Sequence, residues 1–116
     1  MRDLALEVAG VLAIAAAIVH GVLGETSVFP RATIEPRWVR RLVRIVWHCG
    51  VVAWIGGGVL LLAAPSFGSD DARRWIVLVF AAVYGSAAIG NAVATRFRHF
   101  GWMVLSAVAA LTLAGI

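Results

Sequence analysis

The sequence predicts an all-α fold: an integral membrane four-helix bundle whose helices run alternately up and down. Composition is the first reason, because 62% of the 116 residues are hydrophobic and the mean hydropathy is +0.95, whereas soluble domains are about 45–50% apolar. Charge distribution is the second, because the ten arginines and six acids lie in short stretches between long uncharged runs. Four such runs, each about long enough to cross a bilayer, are the third.

A single domain is all that this length allows. Cys49 is the only cysteine, so no intrachain disulfide can form. The arginines flank apolar runs, and no soluble basic domain is present, so no nucleic-acid partner is expected and the lipid bilayer is the expected surrounding. Because a chain this short encloses little volume, a homo-oligomer or a place in a larger membrane complex is expected.

The first helix is predicted over residues 4–24 and the second over residues 36–64. Pro36 suits the first turn of the second helix. That helix exceeds the ~20 residues that cross hydrocarbon, so its basic start is expected in the headgroup layer. Small residues at every fourth position of the first helix would let a neighbouring helix approach closely. They are Ala9, Ala13, Ala17 and Gly21.

The third helix is predicted over residues 75–95 and the fourth over residues 99–116. Ser69 or Asp70 could cap the third helix at its N-terminus. The fourth, at about 18 residues, is just long enough to cross the hydrocarbon of a bilayer.

Arginines are unequally shared between the two ends of the predicted bundle. The connections after the first and third helices, with the start of the second, carry seven, and the opposite side carries three. Since cytoplasmic loops are enriched in arginine, the first side is predicted to be cytoplasmic and both termini to lie outside. The seven are Arg31, Arg37, Arg40, Arg41, Arg44, Arg96 and Arg98; the three are Arg2, Arg73 and Arg74.

All three histidines fall at the predicted cytoplasmic end. His20 lies near the end of the first helix, His48 lies one to two turns inside the second, and His99 opens the fourth. Asn91 lies near the end of the third helix, and Glu25 follows His20 by about one turn. An ionisable side chain within a membrane is costly, so it usually faces the bundle interior and has a partner.

A b-type haem is the first interpretation of these histidines. His20 and His48, on facing helices, would supply the two axial ligands, and electron transfer would be the natural use of such a centre. Arg41 and Arg44, or Arg96 and Arg98, could pair with the haem propionates, and His99 would serve the propionate rim.

Two further interpretations use the same residues. In one, His20, His48 and His99 bind a single Cu or Zn ion, with Glu25 or water as the fourth ligand. In the other, the histidines, Glu25 and Asn91 line a polar cavity for a proton or a small solute, as in a channel or transporter subunit.

Structural roles are open for each of these residues as well. Glu25 could pair with Arg41 or Arg44, and His20 could hydrogen-bond a helix carbonyl. His99 could be an interfacial residue at a helix start. No Ser/His/Asp arrangement, carboxylate pair, HExxH or CxxC motif is present, so hydrolase and thiol-redox functions have no support.

Three short motifs resemble those of a group of small bacterial four-span membrane proteins. They are His20-Gly-Val-Leu-Gly-Glu25, Trp47-His48 and Arg98-His-Phe-Gly-Trp102. The resemblance implies that these histidines, with Glu25, Trp47 and Trp102, belong to one feature, so both tryptophans join the candidate cofactor-binding residues. It implies the bacterial inner (cytoplasmic) membrane as the location, and it implies no activity. Phe100 stands where those proteins have a proline.

Overall fold

The computed structural model describes residues 1–116, and it is all helical, with four α-helices and no β-strand. The all-α prediction and the number of helices are therefore confirmed. The helices are α1 (Arg2–Leu23), α2 (Arg37–Ala63), α3 (Asp70–Thr95) and α4 (Gly101–Leu113). One turn of π-helix (Gly24–Val28) extends α1, and a 3₁₀-helix (Ala64–Phe67) follows α2.

Three of the four helices are long and apolar enough to cross a membrane. With the short helices that continue them, the candidate spans are Arg2–Val28, Arg37–Phe67 and Asp70–Thr95. The prediction of a fourth full-length span over residues 99–116 is wrong in its extent. α4 has 13 residues, which rise about 20 Å, against about 30 Å of hydrocarbon.

The turn before α4 explains why this helix starts late. Arg96 and Phe97 both have a left-handed backbone, with φ of 51° and 60°, which ends α3 and turns the chain. His99 then accepts a hydrogen bond from the amide of Gly101 through Nδ1, at 3.1 Å. This bond satisfies a donor of the first helical turn, so regular helix begins at Gly101 rather than at His99.

α3 starts five residues earlier than the predicted residue 75. Ser69 is its N-cap, and the Ser69 hydroxyl accepts a hydrogen bond from the amide of Ala72 at 3.2 Å. Asp70 and Asp71 occupy the first turn, where negative charge offsets the helix dipole. Capping therefore extends the helix through the charged segment that hydropathy assigned to a loop.

α1 is the central helix of the packing. It lies against α2 along much of its length and against α4, while α3 packs mainly on α4, and α2 and α3 meet over a small area. The interior is built from side chains of all four helices. Its fully buried members include Leu6, Ala9, Ala13, Leu61, Val77, Tyr84 and Val108.

Small residues set the distance between α1 and α2. A Cβ placed on Gly58 would lie 2.8 Å from the carbonyl oxygen of Gly10, and one on Gly10 would lie 2.7 Å from the carbonyl oxygen of Gly58. Ala9, Ala13 and Ala17, from the predicted stripe, are all fully buried. The two backbones therefore touch without intervening side chains, which only small residues permit.

An arginine at each end of the bundle bonds to neighbouring segments of the chain. Arg73, in the first turn of α3, pairs with Asp3 in the first turn of α1, and its Nε donates to the carbonyl of Gly115 at 2.8 Å. At the other end, Arg40 donates to the carbonyls of Phe29 and Ala32, in the connection between α1 and α2. The Arg73 bonds join both chain termini to the start of α3, and the Arg40 bonds hold the connection between α1 and α2.

Candidate functional site

Glu25 is the centre of a charged cluster that joins the end of α1 to the start of α2. Its Oε1 accepts from Arg44 Nε at 2.8 Å, and its Oε2 accepts from Arg44 Nη2 at 2.6 Å. The same Oε1 lies 2.6 Å from His48 Nε2. Arg44 thus grips both carboxylate oxygens in the bidentate manner that gives the strongest charge-assisted hydrogen bonds.

Local helix geometry brings these three side chains together. Glu25 lies in the π-helical turn, where the amide of Phe29 bonds to the carbonyl of Gly24 at 2.9 Å, five residues back. π-Turns widen a helix locally and are frequent at functional sites. Arg44 and His48 are four residues apart on α2, so both project from one face. Arg41, one turn earlier, is exposed and makes no side-chain hydrogen bond.

The contact with Glu25 shows which ring nitrogen of His48 donates. A carboxylate only accepts, so His48 Nε2 carries the proton that lies between the two groups. Nδ1 of His48 makes no side-chain hydrogen bond. All three side chains are partly open, with relative exposures of 59% for Arg44, 44% for His48 and 34% for Glu25. An ion pair this exposed contributes little to stability, and the contact of His48 Nε2 with Glu25 sets the direction of the imidazole ring.

His20 lies against aromatic rings rather than within the charged cluster. Its imidazole is parallel to the indole of Trp47, with centroids 4.0 Å apart and planes at 8°. Trp54 lies 4.9 Å away on a plane tilted by 32°. Trp47 Nε1 donates to the carbonyl of His20 at 3.1 Å, and no side chain bonds to the His20 ring nitrogens.

Gly24 makes room for Trp47. A Cβ on Gly24 would overlap the indole nitrogen, and it would come within 2.8 Å of the neighbouring ring carbon. Gly24 therefore has a steric role, because its missing side chain leaves space for the indole that stacks on His20. Glu25, the next residue, has an electrostatic role as the partner of Arg44.

A pocket of about 460 Å3 opens between the four helices. This volume lies within the usual range for small-molecule sites, about 300–1,000 Å3. Its polar lining comes from His20, Asn91, Thr95 and His99, and Trp47 and Trp54 add aromatic surface. The remaining lining residues are small or apolar: Ala16, Val19, Leu23, Val28, Ala87, Gly90, Ala94, Gly101, Val104 and Leu105.

His99 and Asn91 meet at the backbone of Gly101. A Cβ on Gly101 would lie 2.9 Å from His99 Nδ1 and 3.1 Å from both polar atoms of the Asn91 amide. Because Nδ1 of His99 accepts the Gly101 amide proton, Nε2 is the protonated nitrogen of this ring. The side-chain oxygen of Asn91 is buried without a hydrogen-bond partner, an uncommon state for a buried polar atom.

The predicted site residues thus separate into two groups. His20 and His99 share the inter-helix pocket with Trp47, whereas His48 lines an open groove on the outer face of α2 with Arg44, Ile45, Cys49 and Val52. No group of three or more His, Cys, Asp or Glu side chains is close enough to hold one metal ion. Trp102 packs edge-on against Phe97 at 5.5 Å, outside the pocket lining, and its Nε1 is buried without a partner.

Two residues near the pocket, Trp54 and Tyr84, were not among the site residues predicted from the sequence. Trp54 is seven residues after Trp47 on α2, and this spacing on a helix could have paired them. Tyr84 is fully buried and donates its hydroxyl to the carbonyl of Trp54 at 2.8 Å. No spacing rule links α2 to α3, so the Tyr84 contact required the tertiary structure.

Comparison with protein-family models, with curated proteins and with solved structures gives no match. The resemblance to small bacterial four-span proteins therefore stays a prediction, and the candidate site rests on its own geometry.

Proposed function

We propose that this chain is an integral membrane protein whose helices run alternately up and down. Surface composition supports insertion, because only 20 of the 116 residues are buried although 62% of the chain is hydrophobic. Large apolar side chains on the outer faces, such as Val52 at 70% and Ile89 at 68% exposure, would meet lipid. The contacts of Arg73 with Asp3 and Gly115 support the alternation, since they join the starts of α1 and α3 to the end of α4.

The orientation proposed from arginine counts puts the Glu25–Arg44–His48 cluster at the cytoplasmic side of a bacterial inner membrane, with both termini outside. Arg40 and Arg44 lie at this end and are engaged with the α1–α2 connection. Clustered positive charge of this kind resists translocation across the membrane.

Within that membrane, we propose that the protein binds a small solute and serves as a subunit of a channel or transporter. The pocket between the helices carries this proposal, because it brings together His20 from α1, Asn91 from α3 and His99 from the turn before α4. Burying a polar side chain within the membrane costs free energy unless the side chain pairs with another group or with a bound ligand. The unpartnered side-chain oxygen of Asn91 shows that the protein itself does not satisfy all of them.

Cysteine accessibility tests this proposal. In a Cys49→Ser background, Ala94→Cys places a thiol at an exposed position that lines the pocket, and Val93→Cys places one at the neighbouring exposed position, which does not line it. A small hydrophilic thiol reagent added to intact membranes should label Ala94→Cys and leave Val93→Cys unlabelled, because a lipid-facing thiol stays protonated and unreactive. Equal labelling of both positions argues against membrane insertion, and labelling of neither argues against a solute-accessible pocket.

A bound haem b, or a single Cu or Zn ion, remains a second proposal for this end of the bundle. One observation favours it: the carboxylate of Glu25 holds His48 Nε2, and a carboxylate that orients an imidazole is the usual outer partner of a metal-ligating histidine. His48 Nδ1 and the unbonded nitrogens of His20 are the donors that such a centre would use. His99 is less suited, because its Nδ1 is already engaged by Gly101.

A further inference from the structure

The pocket between the helices has no charged side chain among its lining residues. Ten of its 16 lining residues are hydrophobic, and none is an arginine, aspartate or glutamate. The Glu25–Arg44 pair is close in sequence to His20 and Trp47, but it lies outside this lining. A charged ligand would lose its hydration here without gaining a counter-charge, which is strongly unfavourable. The pocket therefore suits a neutral ligand.

His99 and Asn91 each present an unengaged N–H donor in the lining of this pocket. His99 offers a protonated Nε2, because its Nδ1 already accepts from Gly101. The amide nitrogen of Asn91 makes no hydrogen bond, and the Asn91 side-chain oxygen is a buried acceptor that also has no partner. Thr95 offers nothing more as a donor, since its hydroxyl donates to the carbonyl of Asn91 at 2.7 Å. A ligand that carries oxygen acceptors would pair with these N–H groups.

The pocket is also lined by flat aromatic rings. The ring centroids of Trp47 and Trp54 lie 4.0 and 4.9 Å from that of the His20 imidazole, and all three residues line the pocket. Tyr84 packs edge-on against the Trp54 indole, with centroids 6.1 Å apart, and Gly24 leaves the space that the Trp47 indole occupies. Stacked rings of this kind favour a planar, unsaturated ligand over a globular aliphatic one.

From these observations we propose that the pocket binds the head group of a neutral, planar, lipid-soluble carbonyl compound of the quinone class. Carbonyl oxygens would accept from His99 and Asn91, and the ring would lie on the aromatic side chains. A lipid-soluble molecule would reach the site through the bilayer. This inference rests on the proposed solute pocket and names its ligand class.

Quenching of tryptophan fluorescence by duroquinone tests the ligand class. The full chain is used in detergent with Trp38→Phe and Trp75→Phe, since both indoles are exposed, at 66% and 68%, and would add unspecific quenching. Saturable quenching by duroquinone is the expected result. Durene, which has the same ring and methyl groups without carbonyls, should compete at least tenfold more weakly, because it cannot accept hydrogen bonds.

Substitutions identify the groups that recognise the carbonyls. We expect His99→Leu and Asn91→Leu each to weaken duroquinone binding by about tenfold. His99→Asn should restore most of the affinity lost in His99→Leu, because an asparagine can accept from the amide two residues on and still offer an N–H donor. Ala94→Phe, which fills the pocket from a position on its wall, should abolish saturation.

Two results would overturn the ligand assignment. One is unsaturable quenching, or quenching that Ala94→Phe leaves unchanged. The other is competition by durene as effective as that of duroquinone itself, which would show that the carbonyls are not recognised. Labelling of Ala94→Cys by the hydrophilic thiol reagent is independent of both results, so the solute pocket can stand when the quinone assignment fails.

Discussion

Trp47 contacts His20 twice: its indole stacks on the imidazole at 4.0 Å, and its Nε1 donates to the backbone carbonyl of the same residue at 3.1 Å. The stack fixes the plane of the ring, and the hydrogen bond fixes the position of the indole along α1. His20 is therefore presented to the pocket with its ring orientation set and its two nitrogens unengaged.

Replacing Trp47 with leucine should destabilise the protein by about 2–4 kcal/mol, because it removes the stack, the hydrogen bond and much of the buried ring surface. Trp38→Leu is the matched control, since Trp38 is on the same helix and 66% exposed, and it should change stability by less than about 0.5 kcal/mol. Thermal and denaturant unfolding in detergent, followed by circular dichroism, measures both. Similar losses for the two variants would contradict a structural role for the stack.

Gly58→Ala should destabilise the contact between α1 and α2 by about 1–3 kcal/mol, because the added methyl would meet the Gly10 carbonyl at 2.8 Å and Ile14 at 2.6 Å. Gly56→Ala provides the control two residues away, where a Cβ meets nothing within 4 Å. It should leave stability unchanged or raise it by up to about 1 kcal/mol through helix propensity. Unfolding midpoints that move equally for both variants would exclude tight packing at Gly58.

Arg96→Gly should stabilise the protein by about 1 kcal/mol, because glycine adopts the left-handed conformation at φ 51° without the steric cost that arginine bears. Arg98→Gly, in the same turn, lies at a position without positive φ, so it should be neutral or slightly destabilising. The comparison uses the unfolding free energy of each variant in detergent. A gain from Arg98→Gly but not from Arg96→Gly would contradict the strained turn.

An absorption spectrum of the purified protein decides between a haem and a single metal ion. A Soret band that His20→Ala and His48→Ala each remove, and that His99→Ala retains, would support the haem. Stoichiometric Cu or Zn by elemental analysis, without that band and lost in His20→Ala and His48→Ala but not in His99→Ala, would support one ion bound by His20 and His48. A protein free of both signals leaves the solute pocket as the only proposed site at this end of the bundle.

Hydropathy and caps were sufficient to predict the class and number of helices, because apolar runs and charged breaks are properties of the sequence alone. They overestimated the length of α4. The left-handed turn that delays its start is formed by Arg96 and Phe97, and neither residue type is typical of such a turn. Hydropathy also placed the start of α3 too late, because it treats Asp70 and Asp71 as loop residues although a helix N-terminus favours them.

The site was predictable where contacts follow from helix spacing. Arg44 and His48 are four residues apart, and their common face meets Glu25. The division of the histidines was not predictable, because it depends on how far α2 is rotated about its own axis. That rotation turns Trp47 toward His20 and leaves His48 at the outer groove. Hydropathy constrains it weakly on a helix with apolar residues all round.

The pocket wall is assembled from every helix of the bundle, and α2 meets α3 over only a small area. Its shape therefore depends on the spacing between helices rather than on any one of them. Ligand binding and helix spacing are therefore thermodynamically linked. A ligand that binds best at one separation of the helices favours that separation, and a bilayer that favours a different separation weakens ligand binding by the free energy needed to restore the first one.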